Sequence, residues 1–397
     1  MPEDGWTATE ANGAAMLMSP VLSPGLGIAL GLKNTAQDRT RAWAIVPRMA
    51  NSQESALDFP WGEQLPPGGA LIELQPGLLW LRMQLPFALD HINLWLLRDG
   101  AGWAAVDCGI ADEATRANWV SVLAHPELQG LPLTRVLATH FHPDHLGNAH
   151  WLCERAGVRL WMSATDFNVA RMASQSTVGM GGEAAAAFFG AHGLLDADAQ
   201  AKIRARGDYY PRMVPKVPAS FRRLMEGDRV PIGARSWQVI AGFGHAPEHL
   251  SFWDAANGVL IAGDMVLPRI STNVSVVDVE PEADPLRLYL ESLARLADIP
   301  DDTLVLPAHG RPFRGLQRRI AQLQQHHEER LAELLAALQG GAKTAAELLP
   351  VLFKRPLDLH QTTFAMGESI AHLNHLWLQG RIERRSEGGV YRFALAA

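Results

Sequence analysis

The stretch Thr139-His140-Phe141-His142-Pro143-Asp144-His145-Leu146-Gly147-Asn148 packs four metal-ligating side chains into six consecutive residues. No other feature of the chain limits so tightly what it folds into. Arg135 to Thr139 is a short apolar run of strand character, and Leu146 to Ala156 has the composition of a helix, so the ligands fall on a strand-to-helix turn. Alternate residues of an extended segment point the same way, which lets His140 and His142 face one ion. Asp144 and His145 turn the other way as the helix begins and face a second ion, and Asp144 takes the position of a helix N-cap. A lone histidine is usually a surface or satisfied core residue. Three imidazoles and a carboxylate crowded together are different: they repel when protonated and go unsatisfied when buried, whereas a borderline-soft divalent ion accepts them all. The donors favour zinc, with iron or manganese as alternatives.

The same stretch matches in full the His-x-His-x-Asp-His signature of the metallo-beta-lactamase superfamily, which the chain resembles. Gly244-His245-Ala246-Pro247-Glu248-His249, Ala262-Gly263-Asp264 and Leu306-Pro307-Ala308-His309-Gly310 follow in that family's order. The resemblance extends from Gly69 to Arg314. It implies that His140, His142 and His245 hold a first metal, that Asp144, His145 and His309 hold a second, and that Asp264 bridges the two. Asp107-Cys108-Gly109 resembles the family's Asp-x-Gly turn, whose carboxylate orients ligands without binding metal; a plain turn aspartate is the alternative. His249, four residues beyond His245, either supports a ligand or simply packs. Glu248 stands where relatives carry glycine or another small residue, which bears on the local turn and on metal preference.

A chain of 397 residues exceeds one typical domain, so a core with appendages is expected. The net charge of -7 argues against nucleic-acid binding by the protein as a whole. Cys108 and Cys153 are the only cysteines and cannot build a disulfide framework, which fits a cytoplasmic protein. Cys108 reads as a small buried hydrophobe rather than a reactive thiol. The most apolar early stretch, Ala14 to Leu32, is broken by Pro20 and Pro24, so no membrane span is expected. Glu3, Asp4 and Glu10 stand where a signal peptide would be basic.

Residues 1–68 lack any sustained period and read as a poorly ordered extension, within which Met49 is an alternative start. Residues 69–315 carry two strand blocks accompanied by helices. This is an α/β pattern, and it predicts a four-layer αββα sandwich with the metals at one edge between the sheets. An insertion at 165–218 contains three helical stretches, the glycine-rich Gly179-Met180-Gly181-Gly182 and the pairs Phe188-Phe189 and Tyr209-Tyr210. It suits a wall of a substrate cleft, with helix packing or a homodimer contact as the alternative. Residues 316–397 predict helices at 316–339, 345–352 and 369–379, then a hairpin around Gly388-Gly389. That pattern resembles a winged-helix domain following the hydrolase fold, as in the group of beta-lactamase-like protein 2 and glyoxalase II.

Two ions about 3.5–4 Å apart lower the pKa of a shared water to about 7, which implies hydrolysis. The expected substrate is a small activated ester, thioester or lactone, with Asp144 as ligand and proton acceptor. The alternative is a phosphodiesterase or ribonuclease using the same ions. Charge separates them: residues 311–397 carry twelve Lys and Arg against eight Asp and Glu, leaving the remainder at -11, and an acidic body repels a polyanion. The third helix has no Arg or Lys before Arg381, unlike a helix that reads DNA. Sulfur dioxygenases and diiron oxidoreductases share the resemblance, but the former dispense with part of the second site and the latter carry a flavodoxin-like domain that has no counterpart here.

Overall fold

In the computed structural model, residues 53–87, 89–175 and 181–396 are described. The Met49 start, the apolar stretch from Ala14 to Leu32 and the residues Gly179 and Met180 lie outside them. Strands β1 (Ile72–Gln75), β2 (Leu78–Gln84), β3 (His91–Asp99) and β4 (Gly102–Val106) form an antiparallel meander, turning at Pro76-Gly77 and Gly100. Strands β5 (Leu133–Leu137), β6 (Leu160–Met162) and β7 (Phe221–Arg223) add on in parallel, completing a seven-stranded sheet in sequence order. The second sheet comprises β8 (Arg229–Ile232), β9 (Arg235–Gly242), β10 (His249–Asp254), β11 (Val259–Gly263) and β12 (Leu304–Pro307), ordered β12-β11-β10-β9-β8.

Alternation along the strands builds the layers. In β2, Leu78 and Trp80 face the second sheet while Leu79 and Leu81 face helices; in β11, Val259 and Ile261 face the first sheet while Leu260 and Ala262 face helices. Three apolar clusters result, one between the sheets and one outside each, which is the αββα arrangement. Each fully buried Leu or Val in them contributes about 1.5–3 kcal/mol. The sheets are zipped together at one end by polar bonds: Asn93 Nδ2, on a side chain whose Oδ1 accepts from Trp80 Nε1 at 2.9 Å within the first sheet, donates to the Pro307 carbonyl at 2.9 Å, and Leu250 N donates to the Thr139 carbonyl at 2.8 Å. This is the end at which the histidines emerge.

Helices α1 (Glu113–Leu123), α2 (Pro143–Leu146), α3 (Ala149–Ala156) and α4 (Ala164–Ala173) cover the first sheet. The helix expected from Leu146 to Ala156 is broken at Gly147-Asn148. A Cβ at Gly147 would lie 2.6 Å from Ala111 N and 2.8 Å from the Met213 carbonyl, so glycine lets two loops close over the turn. Asp144 is not the N-cap: His142 takes that position with Pro143 at the first helical residue, because proline's fixed φ starts the helix one residue before Asp144. The insertion forms α5 (Gly182–Ala191), α6 (Ala197–Arg204) and α7 (Tyr209–Met213).

Helices α8 (Pro285–Ala294), α9 (Leu316–Leu338), α10 (Ala345–Leu352) and α11 (Leu359–Leu378) follow, then the hairpin β13 (Ile382–Glu387) and β14 (Val390–Leu395). Helix α11 begins ten residues before the expected 369 because Asp358 and Gln361 form a capping box, Asp358 Oδ1 accepting from Gln361 N at 2.8 Å. Residues 316–396 share one apolar cluster with the outer face of the second sheet. The expected disorder of 1–68 does not extend to its last part. Leu57 is buried in that cluster, Asp58 pairs with Arg314, and the Arg311 guanidinium lies 4.3 Å from the Phe59 ring centre. Among the described residues no helix is long and apolar enough to cross a membrane.

Candidate metal centre

Every predicted ligand, and Asp107 with them, leaves its strand at the same end of the sandwich. Asp107 follows β4, the His140 to His145 segment follows β5, His245 follows β9, Asp264 follows β11 and His309 follows β12. The donor atoms gather in two groups: His140, His142, His245 and Asp264 in one, and Asp144, His145 and His309 in the other. In the first, His140 Nε2 lies 2.8 Å from His142 Nδ1 and 3.2 Å from His245 Nε2. In the second, Asp144 Oδ2 lies 3.4 Å from His309 Nε2 and 3.8 Å from His145 Nε2. Asp264 faces both: Oδ2 is 3.2 Å from His245 Nε2, while Oδ1 is 3.6 Å from His145 Nε2 and 3.5 Å from His309 Nε2.

The far nitrogens of the rings are anchored. His145 Nδ1 donates to Asp107 Oδ2 at 2.8 Å, His309 Nδ1 to the His91 carbonyl at 2.7 Å and His245 Nδ1 to the Asn273 carbonyl at 2.7 Å, while His140 Nδ1 meets Thr139 Oγ1 at 3.0 Å. These bonds place the proton on Nδ1 and leave Nε2 as a lone-pair donor aimed inward. His145 Nε2 and Asp264 Oδ1 are buried without a hydrogen-bond partner, which is costly for polar atoms unless a cation meets them. The residues present therefore fit divalent ions, nitrogen and oxygen donors being what borderline metals take.

Asp107 is more than a turn aspartate. Its carboxylate also accepts from Thr139 N at 2.7 Å, and the residue holds φ +62°, a strained value outside glycine. His249 Nε2 accepts the backbone N–H of Asp264 at 3.1 Å, fixing the residue between the two groups. Gly263 has φ +52°, and a Cβ there would sit 2.3 Å from His249 Nε2, so only glycine allows the approach. Glu248 turns its carboxylate away to accept from Thr165 Oγ1 at 2.6 Å. Cys108 is buried among apolar side chains, its thiol raised well above the ordinary range by burial.

Sequence reasoning missed Asp166. This buried carboxylate, in the first turn of α4, accepts from Phe141 N at 2.9 Å and from Glu248 N at 2.7 Å, clamping the loop of His140 and His142 to the loop of His245. An aspartate near a helix start reads as a cap, so nothing in the sequence marks it.

Electrostatics divides the centre. Burial, then neighbouring imidazoles, holds His140 well below the ordinary histidine range and His142 down at about 3, so both rings are neutral. Burial opposes a proton on His309, yet Asp264 and Asp144 push it up to about 10. Burial likewise opposes charge on Asp144, but His145 and His309 win and hold it at about 2. The Asp144 side chain keeps 19% of its surface exposed and His142 is also partly open, so solvent reaches the centre from their side.

The insertion divides its labour. Phe188 and Phe189 pack against the apolar cluster that holds the C-terminal helices and hairpin, and so are not a cleft wall. Tyr210 serves the site: its hydroxyl donates to the Phe141 carbonyl at 2.6 Å.

The sequence model described as "Metallo-beta-lactamase superfamily" matches residues 88–309. The chain belongs to that superfamily. A second family description, "Metallo-beta-lactamase-like, C-terminal domain", matches residues 331–396. This metallo-beta-lactamase superfamily protein is similar to a crystallised beta-lactamase domain protein from Burkholderia ambifaria, with 52% identity, a TM-score of 0.83 and coverage of 87% of this chain and 100% of that one. It is also similar to the probable metallo-hydrolase YqjP of Bacillus subtilis, at 26% identity over 79% of this chain and 96% of that one. A hydroxyacylglutathione hydrolase of Pseudomonas putida is 26% identical over 57% of this chain and 64% of its own.

Proposed function

We propose that this superfamily member, a hydrolase by its family, is a dinuclear metal-dependent hydrolase of a small activated ester, thioester or lactone. One observation carries the reading: the two oxygens of Asp264 face two separate groups of inward-aimed donors. His140, His142 and His245 would hold one ion, Asp144, His145 and His309 the other, and Asp264 would touch both. Zinc is the ion this donor set suits best. Bound there, such ions supply Lewis acidity and lower the pKa of water, which is the chemistry of hydrolysis at neutral pH.

The protein's own contribution is positioning. Asp107, the carbonyls of His91 and Asn273, and Thr139 fix the rings; His249 and Gly263 fix Asp264; Asp166 couples the two loops of the first group. Asp144, at the open side, is placed to accept a proton from water or return it to a leaving group. A small substrate is supported over nucleic acid by the charge distribution. It is also supported by helix α11, whose His372, Asn374 and His375 are buried rather than free to enter a groove. The three helices and hairpin at the C-terminus are consistent with a winged-helix-like module in a structural role. A cytoplasmic setting fits the unpaired, buried cysteines.

The test is metal analysis of the purified protein beside a screen of thioesters, lactones, activated esters, phosphodiesters and RNA. The reading expects turnover of a small acyl substrate that stops on chelation. Cleavage of phosphodiesters or RNA alone would replace it with the phosphoesterase alternative.

A further inference from the structure

Tyr209 begins α7, the short helix whose Met213 carbonyl accepts from Ala111 N and closes against Gly147 at the end of α2. The next residue of α7, Tyr210, donates its hydroxyl to the Phe141 carbonyl at 2.6 Å, which puts Tyr209 beside the metal-ligand segment. The Tyr209 hydroxyl meets His360 Nδ1 at 3.3 Å. The His360 ring stacks on Phe87 with centroids 5.4 Å apart and planes 10° apart, and Phe364 closes the group at 5.0 Å while remaining 45% exposed. Three separate segments, the turn after β2, the insertion and the start of α11, thus converge on one ring-walled patch beside the metal-ligand segment.

Arg206 completes it. The guanidinium lies 5.9 Å from the Tyr209 ring centre, and Nη1 donates to Thr363 Oγ1 at a long 3.4 Å. Among the described residues it has no carboxylate partner, although most partly buried arginines of this chain do, Arg135 with Asp99 and Arg235 with Asp254 among them. Its place is held firmly: a Cβ on Gly181 would lie 2.6 Å from Arg206 Cβ, so the glycine of the Gly179 to Gly182 run is what lets the backbone pass. Among the described residues most of its donors go unused, and a half-buried guanidinium in that state is matched to an anion, its planar fork fitting a carboxylate.

We propose that Arg206, with Tyr209, His360, Phe87 and Thr363, forms a recognition subsite for a carboxylate on the acyl part of the substrate. The inference deepens the hydrolase reading above and rests on it. One guanidinium supplies one positive charge, and His360 is held below the ordinary histidine range by burial and by Arg206. A monoanion balances that charge, whereas a phosphate dianion would leave excess negative charge beside Asp144. The ring walls accept the methylene chain between carboxylate and scissile carbonyl.

The experiment uses the full chain loaded with zinc. The kcat/KM for para-nitrophenyl butyrate is compared with those for the mono-para-nitrophenyl esters of succinic, glutaric and adipic acid. Wild type should prefer one of the carboxylated esters, and Arg206→Met should reduce that preference about tenfold or more, the scale of a lost hydrogen bond to a charged group, mainly through KM. Tyr209→Phe should reduce it less. Lys202→Met, on the exposed face of α6, should leave it unchanged. No preference in wild type, or an equal loss on neutral and charged esters in Arg206→Met, overturns the subsite. If wild type turns over no ester, the ester reading fails by itself. Calorimetric binding of glutarate then decides the subsite, with about tenfold weaker binding in Arg206→Met supporting it and equal binding overturning it.

Discussion

Replacing Asp264 by asparagine removes the one negative charge that faces both donor groups. Its oxygens lie 3.2 Å from His245 Nε2 and 3.5 Å from His309 Nε2, so each half of the centre loses a charge at contact distance. At an effective dielectric of about 20, a unit charge about 4 Å from a positive centre is worth about 4 kcal/mol. Since about 1.4 kcal/mol is a factor of ten, affinity for the worse-served ion should fall by up to about a thousandfold. The amide retains one oxygen, so one ion should stay. Asp264 is surrounded by polar donors rather than core side chains, and the fold should survive. Dialysed protein assayed by inductively coupled plasma mass spectrometry, with competition against a chromophoric chelator, reads the loss. Far-ultraviolet circular dichroism confirms that the chain is folded. Two tightly held ions in Asp264→Asn, with wild-type turnover, would refute the bridging role.

Asp107→Asn leaves one acceptor oxygen where Thr139 N and His145 Nδ1 need two. Metal affinity should drop about 10–100-fold by competition titration, and unchanged affinity would make Asp107 a plain turn residue. Gly263→Ala forces a side chain into a left-handed backbone at a cost of about 1–2 kcal/mol and pushes a Cβ towards His249; calorimetry should show a lower Tm, and an unchanged Tm would contradict the packing. His192 is buried between Phe188, Tyr391 and Phe393, and burial followed by Arg384 lowers its pKa to about 4. Its folded pKa lies below the unfolded value of about 6.5, so its stabilising contribution is present above pH 6.5 and lost as pH falls towards 4, by about 3 kcal/mol at most. Urea midpoints for His192→Leu should therefore fall less than those of wild type across that range, and parallel curves would sink the argument.

The candidate ligands were legible because each sits in a short motif at the end of an apolar strand, where periodicity marks the strand and composition marks the break. His245, Asp264 and His309 needed the family resemblance as well, since no spacing rule joins residues that meet only through the fold of two sheets. What holds these residues was illegible. The anchors of His245 and His309 are backbone carbonyls of Asn273 and His91, which any residue type carries. Asp166 looked like a helix cap until α4 brought it under two loops. The aromatic pairs of the insertion were indistinguishable in sequence, yet Phe188-Phe189 packs on the C-terminal hairpin side while Tyr209-Tyr210 faces the centre. Residues 53–68 lacked a period because separate contacts hold them, such as Gln322 Nε2 to the Gln53 carbonyl at 3.1 Å and the bridge of Asp58 to Arg314. Helix α11 was read short because its first half, with Thr362, Thr363 and Phe364, carries weak helix formers and is started by its capping box.

Two ions, joined at Asp264, are proposed to carry the hydrolysis. The most direct measurement strips wild-type protein of metal and restores zinc in steps while following bound metal and turnover of the best small acyl substrate together. Saturation is expected at two ions per chain, with full turnover returning only as the second binds. Full turnover in the stripped protein, or with a single ion bound, would contradict it.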